Sequence, residues 1–399
     1  MSIYLDYNAT TPLRPEVWEA MEAVERGTAL QTNPSSTHKA GLAAAKTVKE
    51  AKASVASHLG AEPDEVVFTG GGSEAINLAI KGRVWDAGPK GAHVITSAVE
   101  HHAGLHACLW LQSQGVEVSV LPVGMDGRLD PASVEEALQP ETCLVSLMHV
   151  NNEIGTIQPV AEVGRICRDR GVAFHVDAVQ ALGKVPVNVQ DIGCDLLSIS
   201  AHKLYGPKGT GALYVRRGTE IQPLIHGGRQ EGGLRAGTQN VAGIAGMAEA
   251  VRLAEGEREE FWQRAWAHRE RLHRLPEELN AVRFNGSAEH QVPHCVSVTF
   301  LFCDAMGLAT NLSMRGIYVS TGSACSSGDV TPSHVLKAIG LSDQAAFGTL
   351  RFSTGRTTTE EELEKAVEAT KEIVDMLREV TMPEDIGVCD EDCPCFLTV

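Results

Sequence analysis

The chain has 399 residues, of which 43% are hydrophobic and 21% are charged, so it can bury a large core. Its formal net charge of −17 argues against nucleic acid and anionic membrane surfaces as main partners. The opening MSIYLDYNATTPLRPE lacks the pattern of a signal peptide, and no stretch approaches the ~18 apolar residues of a membrane span. The sequence therefore predicts a cytoplasmic protein whose ten cysteines are free, catalytic or metal-binding rather than disulfide-bonded.

Strand and helix patterns alternate from about residue 64 to about residue 255. The predicted strands are EVVFT, HVITS, VEVSVLPV, TCLVSLMHV, VAFHVD, DLLSIS and GALYVRR. Helical spacing is found in GGGSEAINLAIKG, HHAGLHACLWLQSQG and VAEVGRICRDRG. This alternation indicates an α/β fold with a mostly parallel sheet that is covered by helices on both faces.

A second, smaller unit is predicted after this block. The charged helical segment EGEREEFWQRAWAHRERLHRLPEELN leads into residues 282–380, an α+β unit that ends with the helix TEEELEKAVEATKEIVDMLREV. We expect the first dozen residues to pack onto this unit. The predicted domains are a large domain of residues 13–258, a small domain of residues 1–12 and 259–383, and an acidic, cysteine-containing tail of residues 384–399.

Ligands in open α/β sheets bind at the carboxyl ends of the strands, so the residues that directly follow strands are candidates for a site. The segment SISAHKLYGPKGTG places Lys203 there, close to Ser200 and His202. Lys203 is either a surface lysine in a loop or a lysine that forms a Schiff base. The small polar groups around it are of the kind that binds a phosphate.

The segment FHVDAVQALG ends another strand with Asp177, and Gln180 follows three residues later. A buried carboxylate is costly unless it meets a cation. The protonated pyridine nitrogen of pyridoxal phosphate is such a cation, and the pair would make the cofactor an electron sink. The alternative is that Asp177 caps the next helix.

Two further turns carry candidate ligand-binding groups. In TGGGSEAINLAIKG, Gly71, Gly72 and Ser73 stand at a helix start, where free N–H groups favour a phosphate, although the segment is not a Walker loop. In SAVEHHAGL, His101 and His102 follow a strand. A histidine here is either structural or a flat ring that stacks on a flat cofactor.

Together these motifs resemble the cysteine desulfurases, pyridoxal-phosphate enzymes of the aspartate aminotransferase fold type I, class V branch. The motifs run in family order from residue 4 to residue 356: YLDYNATTP, NPSSTH, FTGGGSEAINLAIKG, EHHA, HVNNEIGTIQP, HVDAVQ, SISAHKLYGPKG, GLRAGTQN, GSACSSG and LRFSTGR. The resemblance implies a large domain with a mostly parallel seven-stranded sheet and a smaller α+β domain. The motif GSAC within a loop of small residues distinguishes desulfurases from transaminases.

The resemblance also implies a role for each residue that contacts the cofactor ring. Lys203 would hold the cofactor as a Schiff base and move the Cα proton of the substrate. Asp177 would pair with the pyridine nitrogen, and Gln180 would donate a hydrogen bond to the ring oxygen. His101 would stack on the ring, and Asn152 would lie against the side of the ring oxygen.

The phosphate and the substrate have their own implied ligands. Thr238 in RAGT would reach the phosphate in the partner subunit, which implies a homodimer. Arg351 in LRFS would clamp the substrate carboxylate with the help of Asn33. The family usually has threonine where Ser73 stands, but serine keeps the hydroxyl donor. The residues that would hold the phosphate within one subunit are Gly72, Ser73, Ser200 and His202.

Cys325, in STGSACSSGD, is the expected nucleophile. A thiolate is suited to attack the substrate sulfur, because sulfur is soft and exchanges readily with sulfur. The resemblance to the housekeeping or nitrogen-fixation branch implies a mobile loop that carries a Cys325 persulfide to an acceptor protein, such as an iron–sulfur scaffold. The expected reaction converts L-cysteine to L-alanine.

Two alternatives remain at this point. The chain is either a cysteine desulfurase or another pyridoxal-phosphate lyase or transaminase, such as a selenocysteine lyase. Outside enzymes, the tail segment CDEDCPC raises the alternative of a metal or cluster scaffold through Cys389, Cys393 and Cys395. This segment lacks the paired Cys-x-x-Cys spacing of a zinc knuckle, so no metal site is predicted.

Overall fold

The structure is a computed structural model that describes residues 2–27, 32–321 and 331–381. Its strands are β1 (Ile3–Tyr4), β2 (Val66–Thr69), β3 (His93–Ser97), β4 (Glu117–Leu121), β5 (Thr142–Met148), β6 (Ala173–Asp177), β7 (Leu196–Ser200), β8 (Gly211–Val215), β9 (Val282–Asn285), β10 (Cys295–Phe300), β11 (Ile317–Tyr318), β12 (Ser320–Thr321) and β13 (Thr349–Ser353). Cys325 and the tail of residues 384–399 lie outside the described residues.

Helices surround these strands. They are α1 (Pro15–Arg26), α2 (Lys39–Leu59), α3 (Gly72–Ala87), α4 (His102–Ser113), α5 (Pro131–Ala137), α6 (Val160–Arg170), α7 (Val189–Ile192), α8 (Val241–Gly256), α9 (Arg258–Leu272), α10 (Leu275–Glu278), α11 (Ala305–Met314), α12 (His334–Ala338), α13 (Asp343–Phe347) and α14 (Glu360–Thr381). No helix within the described ranges combines the length and the apolar character that crossing a membrane requires.

The larger sheet has seven strands in the order β2-β8-β7-β6-β5-β3-β4. The strands from β7 to β4 run parallel, whereas β8 is antiparallel to both β7 and β2. The predicted α/β class and the mostly parallel seven-stranded sheet are therefore confirmed. The chain connects β3 to its neighbour β4 on one side, and it connects β5 to its neighbour β6 on the other side. These two connections diverge between β3 and β5, and open α/β sheets bind ligands at such a point.

Alternate residues along the strands of this sheet face two different cores. In β2, Val66 and Phe68 pack in a cluster that includes residues of α2, α6 and α8. Val67, between them, packs instead with residues of α3 and α4. Because both faces are covered, every residue of β5 and of β7 is buried. This explains why these strands are nearly continuous apolar runs in the sequence.

The second sheet is antiparallel, with the order β12-β13-β10-β9. The first strand of the chain joins this unit, because β1 pairs in parallel with β11 through Ile3 with Ile317 and Tyr4 with Tyr318. Leu5 is fully buried in a separate cluster that contains Phe352. This cluster supports our proposal that residues 1–12 and 259–383 form the small domain and residues 13–258 the large one.

We expect the substitution Leu5→Ala to lower the free energy of unfolding by about 3 kcal/mol, because it leaves a cavity in the second core. Denaturant unfolding measures this change. The control Met314→Ala removes an apolar side chain that is 83% exposed, and it should change the free energy by less than about 0.5 kcal/mol. Equal effects of the two substitutions would contradict the observed packing of the first strand.

Candidate active site

A cavity of about 660 Å³ opens at the carboxyl ends of β5, β6 and β7. The predicted residues Asn152, Asp177 and Lys203 line it from these strand ends and from the short helical turn after β7. Arg351 lines it from β13 of the second sheet. The cavity therefore lies between the two sheets, and residues that are far apart in the sequence meet there.

Lys203 projects from a 3-10 turn, Ala201–Lys203, that directly follows β7. Its Nζ donates hydrogen bonds to the main-chain carbonyls of Asn8, at 2.5 Å, and Ala9, at 2.8 Å. Loss of hydration lowers the pKa of Lys203 to about 8, and the positive charge of Arg351 contributes to this shift. Such a lysine is uncharged often enough near neutral pH to act as a nucleophile or a base.

Asp177 ends β6 and is buried at the floor of the cavity. One carboxylate oxygen accepts the main-chain N–H of Val179 at 2.9 Å. This is a local turn and not a helix cap, because the next helix begins only at Val189. Burial raises the pKa of Asp177 to about 6. A cation bound beside this carboxylate would offset the cost of its burial.

Another part of the cavity wall fits a phosphate. The hydroxyl of Ser200 is buried and has no hydrogen-bond partner among the described residues. Gly72 begins α3, and the preceding Gly71 provides no side-chain cap, so main-chain N–H groups at this helix start are free to bind an anion. A Cβ atom at Gly72 would lie 2.8 Å from the side chain of Val179, so glycine is required for this close approach. Ser73 and His202 line the same cavity.

His101 caps α4, and its Nδ1 accepts the main-chain N–H of Ala103 at 3.1 Å. The ring proton therefore resides on Nε2. Partial loss of hydration, followed by the charge of Lys203, lowers the pKa of His101 to about 4. The cavity thus has a neutral, flat imidazole on its wall, as a stacked cofactor ring requires.

Arg351 is held in place before any substrate binds. Its Nη2 forms a salt bridge with Asp6 at 2.7 Å, and its Nη1 donates to the main-chain carbonyl of Asn152 at 2.9 Å. Its Nε is buried without a partner among the described residues. A guanidinium with a free donor can bind the carboxylate of an amino acid.

Asn8 is a residue of the site that the sequence analysis did not identify. Its main-chain carbonyl accepts hydrogen bonds from Lys203 and, at 2.8 Å, from Nε2 of Gln180. Its side chain bonds to His294 at 3.1 Å and to the carbonyl of Asn152 at 3.1 Å. The motif YLDYNATTP supported the resemblance, but nothing in the sequence indicates that residue 8 lies against residue 203.

Three predicted site residues are not part of the cavity wall described above. Asn33 is exposed, and its side-chain oxygen accepts the N–H of Ser35 at 2.9 Å. Thr238 is exposed and does not line this cavity, and its expected role in the partner subunit stays a prediction. Cys325 lies outside the described residues. Within the described ranges, no group of histidine, cysteine and acidic residues is arranged to hold a metal ion.

Comparisons with known proteins agree with this geometry. Residues 3–366 match the family described as aminotransferase class-V. A protein named cysteine desulfurase IscS from Dictyoglomus turgidum is 46% identical over 380 residues, which are 95% of this chain and 96% of that protein. A solved NifS-like protein matches with a TM-score of 0.88 and 37% identity, covering 94% of this chain and all of that one. The solved structure of SspA in complex with cysteine matches with a TM-score of 0.78 and 40% identity, over 88% of this chain and 98% of that one.

The chain therefore belongs to the class-V aminotransferase family and, within it, to the cysteine desulfurases. The cofactor of this family is pyridoxal phosphate, and the cavity fits it. The unpaired Ser200 hydroxyl and the start of α3 suit the phosphate, and the buried Asp177 suits the pyridine nitrogen. The predicted family, fold and cofactor are confirmed.

In the cofactor-free protein, Asp177 should reduce stability as the pH rises. The pKa of Asp177 is about 6 in the folded protein and ~3.9 in the unfolded chain, so folding favours the protonated carboxyl group. The contribution of Asp177 to stability is therefore fully present below pH ~4, and it is lost as the pH rises through about 6. The variant Asp177→Asn cannot ionise at this position. Between pH 4 and pH 7, we expect the free energy of unfolding to fall by roughly 2–3 kcal/mol more in the wild type than in this variant.

Urea unfolding of both cofactor-free proteins across this pH range measures the difference. Other acids whose pKa burial raises and on which Asp177 does not act, such as Glu153, are present in both proteins and cancel in the comparison. Parallel curves for the two proteins would show that Asp177 is not held in the low-polarity environment described above.

Proposed function

We propose that the protein converts L-cysteine to L-alanine and takes the sulfur onto Cys325 as a persulfide, for transfer to an acceptor protein. The observation that carries the proposal is the pairing of Lys203 and Asp177 in one cavity. The lysine has a lowered pKa, and the buried carboxylate has a raised one. Arg351 adds a group that binds an amino-acid carboxylate.

Pyridoxal phosphate, when bound, supplies an electron sink for negative charge at the substrate Cα. Asp177 would hold the proton on the ring nitrogen, and the neutral imidazole of His101 would lie against one face of the ring. Nζ of Lys203 removes the Cα proton and returns it, and the carbonyls of Asn8 and Ala9 orient this nitrogen. Arg351 binds the substrate carboxylate and so fixes the direction of the Cα–H bond.

The sulfur transfer balances without any additional oxidant. The thiolate of Cys325 attacks the substrate sulfur, so that a sulfur–sulfur bond forms while the Cβ–S bond breaks. The electron pair of the broken bond passes to the substrate carbon skeleton, and protonation of Cβ yields the methyl group of alanine. L-cysteine and one protein thiol thus give L-alanine and one persulfide.

The described residues on both sides of Cys325 support this assignment. Ser320 is the register partner of Arg351 in the second sheet. On the other side, the ring of His334 bonds to the carbonyl of Glu100, next to His101, at 2.9 Å. Cys325 follows Thr321 by four residues, a length of chain that spans at most roughly 14 Å. Both flanking segments thus contact residues that line the cavity or adjoin its lining.

The assembly and the pathway are part of the same proposal. We propose a cytoplasmic homodimer in which Thr238 completes the phosphate site of the partner subunit, and the exposure of Thr238 supports this role. Asn33 would assist Arg351 at the substrate carboxylate. The acceptor is proposed to be a scaffold for iron–sulfur cluster assembly. This role follows from the family rather than from any surface of the chain.

The purified holoenzyme should be yellow, and borohydride should fix the cofactor covalently to Lys203. We expect Lys203→Ala to abolish turnover and covalent fixation. The control Lys208→Met should retain both, since Lys208 lines the same cavity but is exposed and is not proposed to form the Schiff base. Absorbance and peptide mass spectrometry measure the two outcomes. A colourless wild type that stays inactive after addition of pyridoxal phosphate would refute the proposed function.

The variant Cys325→Ala should bind the cofactor and L-cysteine normally but should release no sulfide. Mass spectrometry of the wild type after brief exposure to L-cysteine without reductant should find an added sulfur on the peptide that contains Cys325. The control Cys143→Ala changes a cysteine that is buried on β5, and its sulfide release should match the wild type. Normal sulfide release by Cys325→Ala would instead identify a lyase that expels sulfur without a protein thiol.

A further inference from the structure

Lys184 is a buried lysine that the mechanism above does not use. It lies in the turn after β6, is 8% exposed, and donates a hydrogen bond of 2.6 Å from Nζ to Oε1 of Gln180. Within the part of the chain that the structure describes, it forms no salt bridge with an acid. Burial lowers its pKa to about 7, and the charge of Lys203 adds to the shift. A lysine in this position is costly, so it calls for a physical explanation.

The charged and titratable groups that act on Lys184 come from several elements. They are Lys203 and His202 after β7, Arg351 on β13 and the buried thiol of Cys295 on β10. The buried ring of His294, beside β10, has a pKa that Lys184 helps to lower. None of these groups is a carboxylate that could neutralise the lysine. Glu257 lines a small cavity together with Lys184, but it is already paired with Arg14 and Arg356. The specific polar contact of Lys184 is the amide of Gln180.

This contact favours one orientation of the Gln180 amide. An ammonium group can only donate, so Oε1 must point toward Lys184. Nε2 then points the other way and donates to the carbonyl of Asn8. The amide nitrogen carries a second hydrogen, and Gln180 lines the cavity. Gln180 therefore offers a donor to a bound group.

Lys184 also strengthens this donor. The carbonyl of Asn8 already favours the same amide orientation, so the distinct contribution of the lysine is its charge. A cation that binds Oε1 draws electron density from the amide and makes its N–H groups better donors.

We propose that Lys184 is a positioning residue that orients and polarises the Gln180 amide, so that Gln180 donates a strong hydrogen bond to the ring oxygen of the cofactor. The inference rests on the proposed role of Gln180 in cofactor binding. Lys184 acts only through this amide and through its own charge. It does not touch the reacting atoms.

The test is the dissociation constant of pyridoxal phosphate, measured by absorbance and fluorescence for the wild type and for Lys184→Met. Because the pKa of Lys184 is about 7, the lysine is charged at pH 6 and largely neutral at pH 9. We expect the variant to bind about tenfold more weakly than the wild type at pH 6 and only about twofold more weakly at pH 9. A loss of packing alone would weaken binding equally at both values.

A double-mutant cycle tests the route through Gln180. In the background Gln180→Met, the further change Lys184→Met should have much less effect on cofactor affinity than it has in the wild type. The single variant Gln180→Met retains Lys184 and should itself weaken binding at least as much as Lys184→Met does. This measurement stands even if Lys184→Met fails to fold. The exposed Lys46→Met is the control and should bind like the wild type.

Each outcome supports the inference or overturns it. A pH-independent effect of Lys184→Met, an undiminished effect in the Gln180→Met background, or normal affinity of Gln180→Met overturns it. These results differ from a failure of the proposed function, because in that case the wild type itself would not bind pyridoxal phosphate.

Discussion

The main-chain carbonyl of Asn8 connects the two halves of the site. It accepts hydrogen bonds from Lys203 and Gln180, which both follow strands of the seven-stranded sheet. The same segment leaves β1, which pairs with β11 in the C-terminal part of the chain. The position of the first strand on the second unit therefore determines where the lysine nitrogen points. Any displacement of this segment would disturb chemistry that takes place nearly two hundred residues further along the chain.

A single physical cause shifts the pKa values of the charged groups around this segment in opposite directions. Loss of hydration lowers the pKa of Lys203 and Lys184 and raises that of Asp177, because burial disfavours the charged form of each group. A ligand with a cationic ring nitrogen and anionic oxygens compensates both kinds of group at once. In the cofactor-free site, burial makes the charged forms of these groups costly, and the opposite charges of bound pyridoxal phosphate would reduce this cost.

The sequence predicts the sheet well because the apolar pattern that indicates a buried strand lies within the strand itself. β5 and β7 are buried on both faces and are therefore mostly apolar, with only small hydroxyl residues between the apolar ones, which distinguishes them without knowledge of their neighbours. The sequence also predicts that Asp177 and Lys203 share a site, because each stands at or just after the carboxyl end of a strand, and such ends meet at one edge of a parallel sheet.

The remaining contacts of the site are set by the tertiary fold. Asp6 meets Arg351 only because β1 and β13 belong to the same unit, and Asn8 meets His294 for the same reason. Lys184 stands four residues after Gln180, but its sequence neighbours do not indicate that it is buried or which way it points. Such residues require the packed structure, because a short polar segment has the same composition whether it lies at the surface or over an active site.

The described cysteines are poorly suited to accept sulfur, which is consistent with the proposed role of Cys325. Burial raises the pKa of each of the six cysteines in the described ranges, so each remains a protonated thiol near neutral pH. Cys295 lies close to the site, with its Sγ 3.5 Å from the carbonyl of Glu153, but it is fully buried and its pKa is raised to about 11. A thiol in such a place is a poor nucleophile and cannot reach an acceptor protein. None of these six is therefore suited to accept sulfur, and Cys325, whose flanking described segments contact residues next to the cavity, remains the proposed nucleophile.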